Sequence, residues 1–278
     1  MAICVASMAT ALSFFAQSCS TTRVLQDGEY RLAKNEVLIE NDKRFSTNKV
    51  EPYIKQKPNS NLIFGWNPFL NVYNWGGKSN SFFARLFRKI GTPPVVYEPD
   101  KVNASEDNIK RHLEYLGYYG SVVGSEVNVK RKNVKVTYKV TLGKRFPIKD
   151  IHYNVPSGGT FASDFLRDTG RVLVRRGDWL SEEMLENESQ RSSAKMRNLG
   201  YYGFSKSHYF FQADTLTDPG NAILEYRINE YTRNESEKDA TPIRKFTFND
   251  VVISHPETFK IREKVLRDLN TIRPGDLY

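Results

Sequence analysis

Leu116-Gly117-Tyr118-Tyr119-Gly120 returns as Leu199-Gly200-Tyr201-Tyr202-Gly203, 83 residues further along. A charged, helix-like stretch precedes each copy and an alternating, strand-like stretch follows it. Self-similarity at this period marks an array in which each repeat is one supersecondary unit. The chain therefore reads as tandem modules rather than as one enzyme built around one pocket.

Working outward from the second copy, Phe146–Val155 alternates enough for a strand, with Ile148 and Ile151 expected on different faces. Thr160 is placed to cap a short helix carrying Phe161, Phe165 and Leu166. Ser181 caps a longer one whose Leu185, Ser189, Ser192, Met196 and Leu199 form one side, and Gly200 ends it. Tyr201–Phe211 follows as a strand, Asp218-Pro219-Gly220-Asn221 as a turn, and Ala222–Tyr231 as a third strand. The order is β-α-α-β-β, and its two helices are expected to cover one face of a small mixed sheet.

The first copy gives the same order. Glu36–Glu40 reads as its first strand and Lys49–Lys57 as a short helix. Ser105 is placed to cap a helix with Ile109, Leu113 and Leu116, ended by Gly117. Strands over Tyr119–Val129 and Val134–Leu142 flank the basic turn Lys130-Arg131-Lys132. A long insertion separates Pro58 from Pro94. A third unit begins at Phe246-Thr-Phe-Asn-Asp-Val251, and Pro274-Gly-Asp-Leu-Tyr278 parallels Arg176-Gly-Asp-Trp-Leu180. Half a module exposes its core, so the natural chain is expected to continue. The expected class is α+β, with a first module at 31–145, a second at 146–232, a linker at 233–242 and a third module starting at 243–278.

The N-terminus carries a separate signal. Ala2–Ala16 is small and apolar, too short for a membrane span of roughly 20 residues, and fits the core of an export signal at 1–18. Ala16-Gln17-Ser18-Cys19 resembles a bacterial lipobox, which would make Cys19 the lipidated mature N-terminus, followed by a tether at 19–30. The alternative is an ordinary secretory signal with Cys19 incidental. Cleavage there removes Cys4 and leaves one cysteine, so no intramolecular disulfide holds the modules.

The formal charge of +9 is spread among acidic residues, and its densest cluster sits in a strand-to-strand turn. Anionic lipid headgroups fit that distribution better than nucleic acid, which is not expected as a partner. His112, His152, His208 and His255 fall in four elements without metal-ligand spacing. Glu106-Asp107 and Glu182-Glu183 sit at helix starts, where exposed amides favour negative charge. Neither a phosphate-binding glycine loop nor a nucleophile elbow is present. No catalytic residue, metal or cofactor is expected.

The module order and the Leu-Gly-Tyr-Tyr corner resemble polypeptide-transport-associated (POTRA) domain arrays of the outer-membrane assembly superfamily. The likeness extends over residues 24–278 and is nearest to lipidated BamA/TamA-like proteins of the Bacteroides group, with Ala16–Cys19 matching the lipidated branch. The resemblance implies a lipid-anchored outer-membrane protein with its modules in the periplasm. It further implies unfolded outer-membrane or exported proteins as clients, assembly-complex partners, and a C-terminal barrel beyond this sequence. The alternative is a barrel-less envelope lipoprotein serving as an adaptor of an assembly complex. A third class, an envelope enzyme, requires folding to gather His152 and His208 with acidic groups in a cleft.

Two surfaces are candidate sites. Open strand edges can pair with extended clients through backbone groups, and the strands so assigned are Gly124, Ser125, Glu126, Val127, Asn128 and Val129, and Tyr209, Phe210, Phe211, Gln212 and Ala213. The second surface is the insertion. Its Trp66, Phe69 and Trp75 precede an amphipathic run, Phe82, Phe83, Arg85, Leu86, Phe87, Arg88 and Lys89, that suits a membrane or partner surface. A clamp across the module's own sheet is the alternative for that run.

Overall fold

Both glycine-tyrosine corners end a helix and return the chain to a three-stranded sheet. The computed structural model describes residues 21–60, 67–230, 242–254 and 262–278. Cys19 and its signal, Trp66, most of the expected linker and His255 lie outside the described residues. Chain contacts define two units. One holds the described residues up to Leu113 together with Tyr119–Gly143; the other holds Glu114–Tyr118 and the described residues from Lys144 onward.

The first unit contains β1 (Arg31–Ile39), α1 (Pro68–Trp75), α2 (Phe82–Ile90), most of α3 (Pro99–Tyr115), β2 (Val122–Lys130) and β3 (Asn133–Thr141). Its sheet order is β1-β3-β2, with β3 parallel to β1 and antiparallel to β2. Alternation along β3 buries Val134, Val136, Tyr138 and Val140, and the 3.6-residue period of α3 buries Val102, Ile109 and Leu113. Arg131 and Lys132 form the β2–β3 turn with φ of 48° and 61°. Two successive left-handed residues give the twist that a tight hairpin needs.

The second unit contains β4 (Ile148–Asn154), α4 (Phe161–Arg167), α5 (Glu182–Asn198), β5 (Tyr209–Asp214), β6 (Ala222–Ile228) and α6 (Glu263–Leu269). Its order is β4-β6-β5, with β6 parallel to β4 and antiparallel to β5. Phe161, Phe165, Met196, Tyr201, Tyr209 and Tyr226 form an aromatic-rich core. The fold class is thus α+β with small mixed sheets; the second unit runs β-α-α-β-β from β4 to β6, whereas the first carries two 3₁₀ turns and three α-helices between β1 and β2.

Several local expectations change. β1 begins at Arg31, not Glu36, because Leu32 already pairs with Val134. The stretch expected to form a helix over Lys49–Lys57 contains only two 3₁₀ turns, Thr47–Lys49 and Glu51–Tyr53. They suffice to bury Val50 and Ile54. Ser105 does not cap α3, which starts at Pro99. Ser105 lies inside it, donates to the Lys101 carbonyl and accepts from the Lys55 amide. Thr160 precedes α4 without capping it, and its hydroxyl meets the Tyr201 hydroxyl at 2.9 Å. Ser181 does cap α5, accepting from the Met184 amide.

Two further corrections come from strand pairing. Ile148 and Ile151 share the inward face, since a bulge between Ile148 and Asp150 adds one residue to β4. β1 has the corresponding irregularity between Leu32 and Lys34. The strand expected from Tyr201 starts only at Tyr209, after a 3₁₀ turn at Lys206–His208. Gly117, Gly120 and Gly200 adopt positive φ, whereas Gly203 does not.

Within the second unit, residues 242–278 reproduce hydrogen bonds of residues 146–180. Ile148 N–H donates to Asp178 O, and Phe248 N–H to Asp276 O. Gly177 N–H donates to Ile148 O, and Gly275 N–H to Phe248 O, each at 2.7 Å. The Asp178 and Asp276 carboxylates accept from the amides of Arg175 and Arg273. A cavity of about 750 Å³ lies between Val251, Ile253, Leu266 and Ile272 of this segment.

Candidate functional site

A central strand satisfies its backbone on both sides; an outer strand leaves one row of amides and carbonyls for another partner. In these sheets β3 and β6 are central, so among the described residues β2 and β5 each pair on one side only. Gly124–Val129 therefore lies on one sheet edge and Tyr209–Ala213 on another. The β1 and β4 strands form the opposite edges.

The β5 edge has a groove beside it. Leu185, Glu186 and Ser189 of α5 face Lys206, Tyr209 and Phe211 across about 520 Å³. The floor combines Leu185 with the Tyr209 and Phe211 rings, stacked at 6.0 Å. Lys206 and Glu186 pair at 3.0 Å on the wall, and this hydrogen bond, followed by one from Tyr115, holds the Glu186 carboxyl below its usual range. Burial pushes the Tyr209 phenol well up, so it stays neutral. An apolar floor, polar walls and a free strand edge suit an extended polypeptide.

The helix beside that groove is fastened from beneath. Glu188 of α5 is fully buried. Its carboxylate accepts from Arg191 at 2.8 and 2.9 Å, from the Leu173 amide at 2.8 Å and from the Tyr226 hydroxyl at 3.4 Å. Arg191 also reaches Asp168 at 2.8 Å, at the end of α4. Hydrogen bonding to Glu188 foremost, and to Asp168, holds the guanidinium in its charged form. Sequence reading missed Glu188, although its spacing from Leu185 and Ser192 puts it on the buried stripe.

The β2 edge differs. Glu126, Val127, Asn128 and Val129 are exposed, and Lys139 pairs with Glu126 at 2.7 Å on one face of the sheet. That hydrogen bond and the charge of Lys139 hold the Glu126 carboxyl low. Lys132, near the turn, donates to the Gln26 carbonyl and lies 3.7 Å from Asp27.

The insertion forms α1 and α2, which pack on each other through small groups. A Cβ on Gly76 would lie 2.7 Å from the Ala84 carbonyl, and one on Gly91 would overlap the Tyr73 backbone. Ala84 is the buried residue of α2. Phe69, Trp75, Phe82, Phe83, Leu86 and Ile90 are exposed. Phe87 is half-buried and meets the Trp75 ring edge-on at 6.1 Å. Arg88 donates to the Gly77 carbonyl at 2.8 Å, while Arg85 and Lys89 are exposed.

The three described histidines are not brought together. His152 borders a shallow cleft of about 260 Å³ with Asp214 and Glu225. His208 is buried instead beside Phe204, their rings 5.0 Å apart. His112 stacks on Tyr53 at 3.7 Å. Among the described residues no group of three His, Cys, Asp or Glu can hold a metal ion. No helix among them is long and apolar enough to cross a membrane.

A family model described as "POTRA: Surface antigen variable number repeat" aligns with part of this geometry. Residues 34–143 match the POTRA family. The POTRA match runs from within β1 past the end of β3, insertion included. Among solved structures, the chain is similar to POTRA3-5 of Haemophilus influenzae BamA at 13% identity and TM-score 0.42, covering 92% of this chain and 83% of that one. It is similar to POTRA1-2 of the Omp85 periplasmic domain from Anabaena at 10% identity and TM-score 0.29, covering 71% and 94%. Likeness to CdiB from Escherichia coli is fainter, at 8% identity and TM-score 0.26, covering 72% of this chain and 27% of CdiB.

Proposed function

We propose that the chain is the periplasmic arm of an outer-membrane protein assembly or translocation device, and that it holds extended client segments by backbone pairing along β5. In this reading residues 31–145 and 146–232 are complete POTRA modules, a third starts at 243, and a lipid on Cys19 tethers the array to the outer membrane. The barrel that inserts or translocates clients belongs to sequence beyond Tyr278. The arm is a scaffold and carries out no bond-making step.

The observation that supports client pairing is the groove of about 520 Å³ between the one-sided β5 and α5. An added strand would take hydrogen bonds from β5 while its alternate side chains rest on Leu185 and Phe211. Backbone recognition tolerates many sequences, as a receiver of varied clients requires. The POTRA match at residues 34–143 supports the class of device.

The test is amide hydrogen exchange on the full chain with a synthetic peptide of about ten alternating apolar and polar residues, the length of one barrel strand. Slowed exchange over Tyr209–Asp214 is the expected result. Unchanged exchange at both β5 and β2 under saturating peptide overturns client pairing; slowing at β2 alone overturns the choice of β5.

A further inference from the structure

The α1–α2 pair has its apolar side outward. Successive helical residues turn by about 100°, so Phe82, Leu86, Ile90, Phe83 and Phe87 sweep an arc of roughly 140° on α2. Burial would normally draw such an arc inward. Here the buried position is Ala84, on the opposite side, and Phe82 and Phe83 are 68% and 67% exposed. Close approach of the helices at Gly76, Ala84 and Gly91 accounts for this, because only small groups fit between them. Trp75, 55% exposed, and Phe69 extend the apolar surface onto α1.

Charge selects what this surface can meet. From Pro52 to Tyr97 the chain has no Asp or Glu and six Lys or Arg, although 32 acidic residues are spread over the other parts of the 278-residue sequence. Arg85 and Lys89 border the apolar arc of α2 on its Phe82 side, and both are exposed. A cavity of about 260 Å³ opens beside it, where Arg23, Lys78 and Ser79 meet the Trp75 and Phe83 rings. Cations and hydroxyls beside aromatic rings fit a phosphate at the boundary of water and acyl chains.

We propose that α1 and α2 form an interfacial anchor that lies on an anionic phospholipid bilayer, with Phe82, Phe83, Leu86 and Ile90 in the headgroup–acyl boundary and Arg85 and Lys89 among the phosphates. Neither a barrel nor pairing at β5 is needed for this contact. It holds the first module against the membrane plane by a second attachment, distinct from any lipid on the N-terminus.

The test compares the full chain with its Phe82→Ser/Phe83→Ser/Ile90→Ser variant in flotation with phosphatidylglycerol–phosphatidylcholine vesicles and with phosphatidylcholine alone. The N-terminal apolar run is common to both proteins and cancels in the comparison. Binding to anionic vesicles should fall by roughly tenfold or more in the variant. In the parent it should weaken as NaCl rises from about 0.05 to 0.5 M. An Arg85→Gln/Lys89→Gln variant, which keeps every apolar contact, should lose anionic preference while retaining its circular dichroism spectrum; this arm decides if the serine variant fails to fold. Equal binding by parent and variants overturns the proposal, as does equal binding to neutral and anionic vesicles. Concentration-dependent dimerisation abolished by the serine substitutions, without vesicle binding, assigns the face to a second copy and also overturns it.

Discussion

Glu188 and Arg191, three residues apart on α5, form an ion pair whose acid is fully buried and whose base also holds Asp168. The pair joins the long helix to the end of α4, to the Leu173 amide and, through Tyr226, to the central strand. Without Glu188, Arg191 loses its principal partner and the Leu173 amide its acceptor. Glu188→Ala should therefore cost about 3 kcal/mol or more in urea unfolding of the full chain. Arg227→Ala removes a more exposed pair with Glu225 and should leave the urea midpoint nearly unchanged.

Gly200 lies against Leu277. At φ +91°, a Cβ there would stand 2.7 Å from Leu277 Cδ2, and the Gly200 carbonyl accepts from the Phe246 amide at 2.8 Å. Gly200→Ala should destabilise by about 1–2 kcal/mol through backbone strain and accelerate exchange of the Phe246 amide. Gly120 has φ +73° with open space around it. Gly120→Ala should show comparable strain with no change at Phe246, which separates conformational from steric cost.

Asp164 supplies a pH dependence. Its carboxylate accepts from Lys245 at 2.8 Å and from the Tyr201 hydroxyl at 2.9 Å. The Lys245 hydrogen bond first, and then that of Tyr201, lower its pKa below the ordinary value. A folded-state pKa below the unfolded one contributes stability that is complete above the unfolded value, near pH 4, and is lost as pH falls through the folded value. Protection of the amides in 244–248, corrected for the intrinsic pH dependence of exchange, should fall on acidification from about pH 6 to about pH 3. Asp164→Asn should flatten that profile, and a profile unchanged by the substitution would remove the role assigned to Asp164.

Much of the fold is legible because its signals are local. Val134, Val136, Tyr138 and Val140 alternate, so β3 has one buried face wherever it pairs. Ser181 and Gly200 mark the two ends of the long-helix region by hydrogen bonding and positive φ, both set within a few residues. Ser105 had the right residue type for a cap, but Pro99 suits an earlier helix start and the serine satisfies its hydroxyl inside the helix. Ile148 misled for another reason. The bulge that turns it inward depends on the register with Ala222 and Ile223, more than 70 residues away.

The candidate surfaces divide the same way. Sequence alone determined the β-α-α-β-β order of the second unit, the repeated corner and the basic, acid-free, aromatic character of the insertion, since each rests on residue type and short spacing. Tertiary structure alone decided that β2 and β5 are outer strands, because strand order depends on which distant partner takes the centre. It also buried Glu188 by closing Arg191, Leu173 and Tyr226 around it. On α2 it turned the large apolar side outward, since Gly76, Ala84 and Gly91 leave room between the helices only for small groups.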